Sequence, residues 1–389
     1  MNVFVICEGL GADGAVANVA WQQALGLSVQ QPVCLISDGI TPERRLELDG
    51  ATSPLRLRLV AVWRFRALHR FGHLLHQLLW IHRALRALGQ ELPSAGQAAV
   101  LCHSHPLAAA VSWRFGQRVR LLMISHGDPF LRPPGTYDPA IHWLYRSSTW
   151  PAHGRLAVSV ALSPTMARRI HAMGVDPERI ALIPNGIDPA EIGLLQDPHT
   201  PADHWCQRPL RLLFVGRLDP VKGVDGLLKA VSLAHRSGTP LQLDLIAAAT
   251  GPQARELQTA IASLGLASLV RLLGPCPRTA LAGHYLDCHV VVVPSRDDPL
   301  PTVVLEAMAC GRPVVASDVG GMSYQLLEGA CGVLVPPENS QALAEAFIRL
   351  DQDRRLAAEL GLRGLERSRQ FSWEANVRAL QLLIQPSGD

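Results

Sequence analysis

Apolar residues in this chain gather in short runs rather than in long helical stripes. In the first half they fall at 2–7, 32–37, 98–102, 120–125, 156–163 and 179–183. In the second half they fall at 210–215, 241–246, 270–273, 290–293, 313–316 and 332–335. Each run suits a strand, the last of them an edge strand and most of the others buried, and is too short for a buried helix. Between them the spacing predicts helices at 15–25, 164–173, 224–236, 253–264, 279–285, 302–310, 341–350, 354–368 and 374–384. Strands alternating with helices predict an α/β protein built on doubly wound parallel sheets.

The chain has 389 residues, and single cores seldom grow beyond about 250–300, so two domains are expected. The pattern runs through 1–190, lapses over 191–209, and restarts at 210. The lapse carries Pro201, Asp203, His204 and Gln207 and is predicted to be a linker, with 210–373 as the second domain.

Composition narrows the class. Apolar residues make up 48% and charged residues 18%, which excludes disorder. A net charge of +3 is too small to argue for nucleic acid. No run of 18 apolar residues is present, and the start, MNVFVICEGLG, lacks a basic leader pattern. Eight scattered cysteines without CxxC spacing read as reduced core residues, so a cytoplasmic protein is expected. Residues 51–90 contain no acid until beyond Gln90, yet hold Arg56, Arg58, Arg64, Arg66, Arg70, Arg83 and Arg86 with interleaved aromatics. A basic amphipathic helix over 62–88 is predicted. Peripheral contact of 56–86 with the inner face of an anionic membrane, or with a polyanionic acceptor, is weighed against a packed helix with a solvated arginine face.

The chemistry concentrates in 290–318, VVVVPSRDDPLPTVVLEAMACGRPVVASD. Pro294, Pro299 and Pro301 force a loop at the carboxyl end of a buried strand, where open parallel sheets bind ligands. The helix that follows offers free N–H groups to an anion such as a phosphate. Asp298 and Glu306 frame the loop as acceptors for hydroxyls beside that phosphate, which describes a nucleotide-sugar pocket. Arg217 and Lys222 flank another loop at a strand end, and Lys222 is one of two lysines in an arginine-rich chain. Together they suit a diphosphate clamp rather than a solvated surface pair.

A glycine loop, Gly9, Gly11 and Gly14, follows the first strand, with Asp38 after the second. That spacing also fits an NAD-dependent oxidoreductase, and glycines of this kind equally admit a sugar. His103, His105 and His126 stand just beyond strands; the first two read as structural, and no metal-ligand cluster is predicted.

Three ordered motifs, PNGID (184–188), FVGRLDPVKGVDGLL (214–228) and LPTVVLEAMACGRPVVASDVGG (300–321), resemble the GT4 family of retaining glycosyltransferases. The resemblance spans nearly the whole chain. It implies the GT-B fold, two facing Rossmann-like domains with a cleft between them, the last helix (374–389) joining the first domain. It further implies transfer of a sugar from a nucleoside-diphosphate sugar to an acceptor hydroxyl, with no other cofactor and no metal. The acceptor would be a glycan, a lipid-linked intermediate or a small molecule. Arg217 and Lys222 would bind the diphosphate, Glu306 the ribose, and Asp298 the donor sugar. His126 would lie near the reacting centre. Gly11, Gly14, Gly216 and Asn185 would line the donor site, Leu300, Pro301, Thr302 and Val303 would cradle phosphate and sugar, and Leu273, Gly274 and Pro275 the base. Asp298 stands where the family has Glu, which shortens its reach by one methylene. A non-catalytic sugar-binding protein of the same fold is the alternative within the family.

Overall fold

A computed structural model describes residues 1–11, 14–50, 54–62, 69–94, 97–127, 143–144, 147, 158–196, 198, 202–206, 208–247 and 252–385. The chain divides into two compact units, Met1–Asn185 with Trp373–Asp389, and Gly186–Ser372.

The first unit holds a parallel sheet of β1 (Val3–Ile6), β2 (Val33–Ser37), β3 (Leu55–Leu59), β4 (Ala98–Cys102), β5 (Val119–Ile124), β6 (Val158–Ala161) and β7 (Ile180–Leu182). Their order is β3-β2-β1-β4-β5-β6-β7, with Val3 opposite both Val33 and Ala99. The second unit holds β8 (Leu210–Val215), β9 (Leu241–Ile246), β10 (Val270–Gly274), β11 (Val290–Val293), β12 (Val314–Ser317) and β13 (Val333–Val335). Its order is β10-β9-β8-β11-β12-β13, again all parallel. Both sheets therefore step outward from their first strand in two directions. The order reverses between β1 and β4 and between β8 and β11, and such switch points are where doubly wound sheets place ligands.

Central strands are buried along their whole length, which explains the unbroken apolar runs. The edge strand β3 differs: LRLRL alternates, and Arg56 lies exposed on the sheet border. The basic stretch thus contains this strand, which the expected helix over 62–88 left unassigned. A helix runs from His69 to Glu91 and buries Trp80, Ala84, Ala87 and Leu88 against the sheet, while Arg83 and Arg86 face solvent. Arg64 and Arg66 lie outside the described residues, as do Ala12, Asp13 and Asp128. Two helices that the spacing did not predict, Pro42–Gly50 and His105–Phe115, complete the described covering of this unit.

The described residues of 191–209, expected as a linker, pack into the second unit. Ile192 and Leu194 are buried in its core, and His204 Nε2 lies 3.1 Å from the Cys288 carbonyl. The last helix, Trp373–Ile384, lies on helix Ala15–Ser28 of the first unit. Gly26 lets them meet, since a Cβ there would sit 2.4 Å from Val377 Cγ2. Asn376 ties the crossing by donating to the Pro184 carbonyl (2.7 Å) and accepting from Gln23 (3.2 Å). All eight cysteines are free thiols, and six of them are buried.

Candidate active site

In the second unit, the loops after β8 and β11 meet at the switch point. Asp219 accepts from the Val221 N–H (3.0 Å) and turns the chain through Pro220–Lys222. Gly223 ends that turn at φ +67, where a Cβ would stand 2.1 Å from the Pro294 carbonyl oxygen. Gly320, at φ +58, presses as closely on the Asp298 carbonyl, 1.7 Å from a notional Cβ. Two glycines therefore grip the β11 loop from either side, and only glycine fits both places. Arg296 fastens the loops further: its N–H donates to the Val221 carbonyl (2.7 Å), and its guanidinium binds Asp225, Glu338 and the Pro220 carbonyl.

That architecture delivers Lys222 Nζ to within 2.6 Å of Asp298 Oδ2, with Asp298 only 7% exposed. Arg217 is different. Its side chain is 70% exposed and leans on Asp219 at 3.4 Å, a contact of little energetic weight. Helix Thr302–Ala309 begins nearby after Pro301, with no side chain capping its first N–H groups. Leu300 and Pro301 are buried, Thr302 and Val303 half-buried, and Gln325 Nε2 pins the Pro301 carbonyl at 3.0 Å.

Glu306, on the first turns of that helix, is 2% exposed and held from two sides. Arg278 Nη1 donates to Oε1 (2.9 Å) and the Tyr285 hydroxyl to Oε2 (2.7 Å). Arg278 also reaches Glu191 Oε2 at 3.1 Å, across a contact made possible by Gly193, whose Cβ would strike the Thr279 carbonyl. Burial and the neighbouring Glu306 carboxylate hold the Tyr285 phenol far above its ordinary pKa, so it stays a donor. Glu191, Arg278 and Tyr285 were not singled out from the sequence. Leu273 and Pro275 are exposed at the end of β10, with Gly274 at φ +74 between them, and Gly216 donates to the Ile246 carbonyl at 3.0 Å.

In the first unit the glycine loop follows β1. Gly9, at φ +87, donates its N–H to Asp38 Oδ1 (2.7 Å), and Arg44 donates to the Leu10 carbonyl (2.9 Å). Asp38, the acid on which the nicotinamide reading rested, thus closes the loop. Gly11 passes against Gly39, and Gly14 caps helix Ala15–Ser28 through its backbone alone. Asn185 is buried, its Oδ1 without a partner among the described residues.

His126, after β5, meets His103, after β4: Nε2 and Nδ1 lie 2.8 Å apart and the rings are 18° from parallel. Burial lowers the pKa of His126 to about 4 and holds His103 well below its usual value, with His126 adding to the push on His103. Both are neutral at pH 7. The sequence read His103 as a satisfied structural histidine, and the partner it has is His126. His105 is buried at the start of helix His105–Phe115.

The sequence showed no metal-ligand cluster, and one candidate grouping forms only in the fold. Glu8, Asp38 and His76 bring ligand atoms within 4.8 Å of one another, a grouping that positions so far apart in sequence could not reveal. Glu8 receives His76 at 2.9 Å and Gln77 at 2.7 Å, so its two oxygens are engaged by protein groups.

Comparisons with known proteins agree with this geometry. Residues 204–367 match the model of the glycosyl transferases group 1, and 21–191 that of Glycosyltransferase Family 4. D-inositol 3-phosphate glycosyltransferase of Thermomonospora curvata is 30% identical over 98% of this chain and 89% of its own. That of Geodermatophilus obscurus is 30% identical over 98% and 83%. Among solved structures, sucrose-phosphate synthase of Thermosynechococcus elongatus has a TM-score of 0.80 at 22% identity, covering 98% of both chains. Anabaena Alr3699/HepE in complex with UDP-glucose has a TM-score of 0.74 at 18% identity, covering 98% of this chain and 99% of its own.

Two Rossmann-like units with these relatives define a glycosyltransferase of the GT-B fold. More narrowly, the chain belongs to glycosyltransferase family 4, the glycosyl transferases group 1. Among the described residues no helix is long and apolar enough to cross a membrane.

Proposed function

We propose that this protein is a retaining glycosyltransferase that moves a sugar from a nucleoside-diphosphate sugar to an acceptor hydroxyl without a metal ion. The observation that carries the reading is Lys222 held on Asp298 at the second unit's switch point, beside a buried Glu306. An ammonium has three donors, so Lys222 keeps one on Asp298 while others reach the diphosphate. The exposed Arg217 swings to the same phosphates, and the first N–H groups of helix Thr302–Ala309 add to the cradle. A carboxylate offers about four lone-pair sites; Arg278 and Tyr285 take two on Glu306, leaving two for the ribose hydroxyls. Asp298 accepts from a sugar hydroxyl with its remaining oxygen. Gly216 lines the donor site, and the backbone of 273–275 faces the base.

In the reaction the bond from the anomeric carbon to the diphosphate oxygen breaks through an oxocarbenium-like transition state. The acceptor oxygen bonds to that carbon from the same face, and its proton passes to the departing diphosphate. Lys222 and Arg217 stabilise the charge that develops there, which is work a metal would otherwise do. His126 carries the role the resemblance gives it, contact with the reacting sugar. The names of the relatives make a phosphorylated polyol the first acceptor class to try.

Incubation with UDP-, GDP- and ADP-sugars plus phosphorylated polyols, followed by NMR of the product's anomeric proton, tests the reading. An α-linked product from an α-linked donor, formed undiminished in EDTA, is expected. Inversion would refute the mechanism; a requirement for added metal would shift attention to Glu8, Asp38 and His76. Contact of 56–86 with an anionic membrane is proposed on the exposed Arg83 and Arg86. Equal pelleting of wild type and Arg83→Gln/Arg86→Gln with anionic vesicles would remove it.

A further inference from the structure

We infer that His103 fixes His126 in the Nδ1–H tautomer, so that His126 meets a sugar hydroxyl as a hydrogen-bond donor and does not serve as a general base. This rests on the reading above that His126 touches the reacting sugar, and adds which hydrogen-bonding role it has there.

The two rings share one short contact, His103 Nδ1 to His126 Nε2 at 2.8 Å. A neutral imidazole has one N–H and one bare nitrogen, so one ring donates in this contact and the other accepts. Only two arrangements exist. If His126 donates from Nε2, His103 accepts at Nδ1 and must carry its own hydrogen on Nε2. That nitrogen is buried and has no partner among the described residues, so an N–H there would be orphaned. If His103 donates from Nδ1, its Nε2 is a bare acceptor, and the hydrogen of His126 sits on Nδ1. Orphaned buried N–H groups are the rarer defect in folded proteins, and underused acceptors are better tolerated. The second arrangement is therefore favoured.

Its consequence is chemical. The lone pair on His126 Nε2 is consumed by His103, and Nδ1 already carries a hydrogen. No basic nitrogen is left on this ring to take a proton from an acceptor hydroxyl. In this arrangement the Nδ1–H is the polar group the ring has left to offer a hydroxyl. The proton released by the acceptor must then go to a group other than His126, as it does when the leaving diphosphate takes it. The tautomer of a histidine is set by the bond its other nitrogen makes, so His103 is a positioning residue acting through His126.

Long-range proton–nitrogen correlation spectra of the ¹⁵N-histidine-labelled full chain read the tautomers directly, because bare and protonated ring nitrogens resonate far apart. The chain has 15 histidines, and His126→Asn and His103→Asn assign the two that matter. Both rings should show a protonated Nδ1 and a bare Nε2, the less populated form of free imidazole. A proton on His126 Nε2, or exchange averaging of its two nitrogens, overturns the proposal. Transfer kinetics give the second readout. His103→Leu should lower kcat by about 10- to 100-fold with donor KM near wild type. His103→Asn, whose amide can still donate to Nε2, should recover most of that loss; equal losses in the two variants would reduce His103 to a packing residue. Should His103→Leu fail to fold, the wild-type spectrum still decides. Full transfer by His126→Ala would overturn the donor role while leaving the tautomer standing, so the two claims fail separately.

Discussion

The two sheets share the order of six strands and a switch point, yet different side-chain pairs stand beside those places. At the second, a lysine sits on an aspartate and an arginine on a glutamate, all with low exposure apart from the partly exposed cations. At the first, two imidazoles share a hydrogen bond and neither carries charge at neutral pH. Burial disfavours charge in both, but opposite charges in contact offset that cost, whereas two like-charged rings would double it. The contrast matches two tasks in the proposed reaction: an anionic diphosphate needs fixed cations, while neutral hydroxyls need an oriented neutral donor.

The contrast can be broken most sharply at Lys222. Lys222→Ala and Glu306→Ala should each reduce turnover by about 10²–10³, measured as kcat/KM for the donor, with unchanged circular dichroism. Near-wild-type rates in either would remove the charged site from the reaction. Next in size is Arg278→Leu, which leaves the buried Glu306 with Tyr285 alone. Stability should fall by about 2–3 kcal/mol in urea titration, with donor KM raised. The matching change in the first unit, His103→Leu, removes a neutral partner and should cost only about 1 kcal/mol. If the two losses were equal, charge would not distinguish the sites. Gly320→Ala should cost about 2 kcal/mol, through positive φ and the clash with the Asp298 carbonyl, and should displace Asp298. A pH dependence is common to both units. His126 and His204 stay neutral until about pH 4 and His289 until about pH 3, against about 6.5 in the unfolded chain. As pH falls below about 6.5 the unfolded state binds protons that the folded state refuses, so stability falls and keeps falling towards pH 4. Melting temperatures measured from pH 7 to 4 should decline accordingly, and a flat profile would contradict the buried neutral histidines.

The strands of both sheets were legible because central parallel strands are apolar on both faces, as Val290–Val293 illustrates. The edge strand Leu55–Leu59 was not, since its alternation was submerged in a run of arginines. Asp298 and Glu306 could be found from a loop and a helix start close together in sequence, and Lys222 from its own loop after a strand. Their supporting partners could not. Arg278 meets Glu191 across 87 positions and Glu306 across 28, and nothing local in PRTA marks that arginine. His103 and His126 are joined because β4 and β5 are neighbours, which only the sheet order reveals. The stretch 191–209 looked featureless because its buried anchors, Ile192, Leu194 and His204, are isolated rather than periodic.

The most direct test of the charged site is a thermal-shift titration of wild type and Lys222→Ala against UDP, GDP, ADP and NAD. A ligand that binds only the folded state adds about 2.7 kcal/mol at a hundredfold excess over Kd, well within reach of the measurement. A rise with one nucleoside diphosphate, lost in Lys222→Ala, is predicted. A rise with NAD alone, or an undiminished rise in the variant, would contradict a diphosphate held by Lys222.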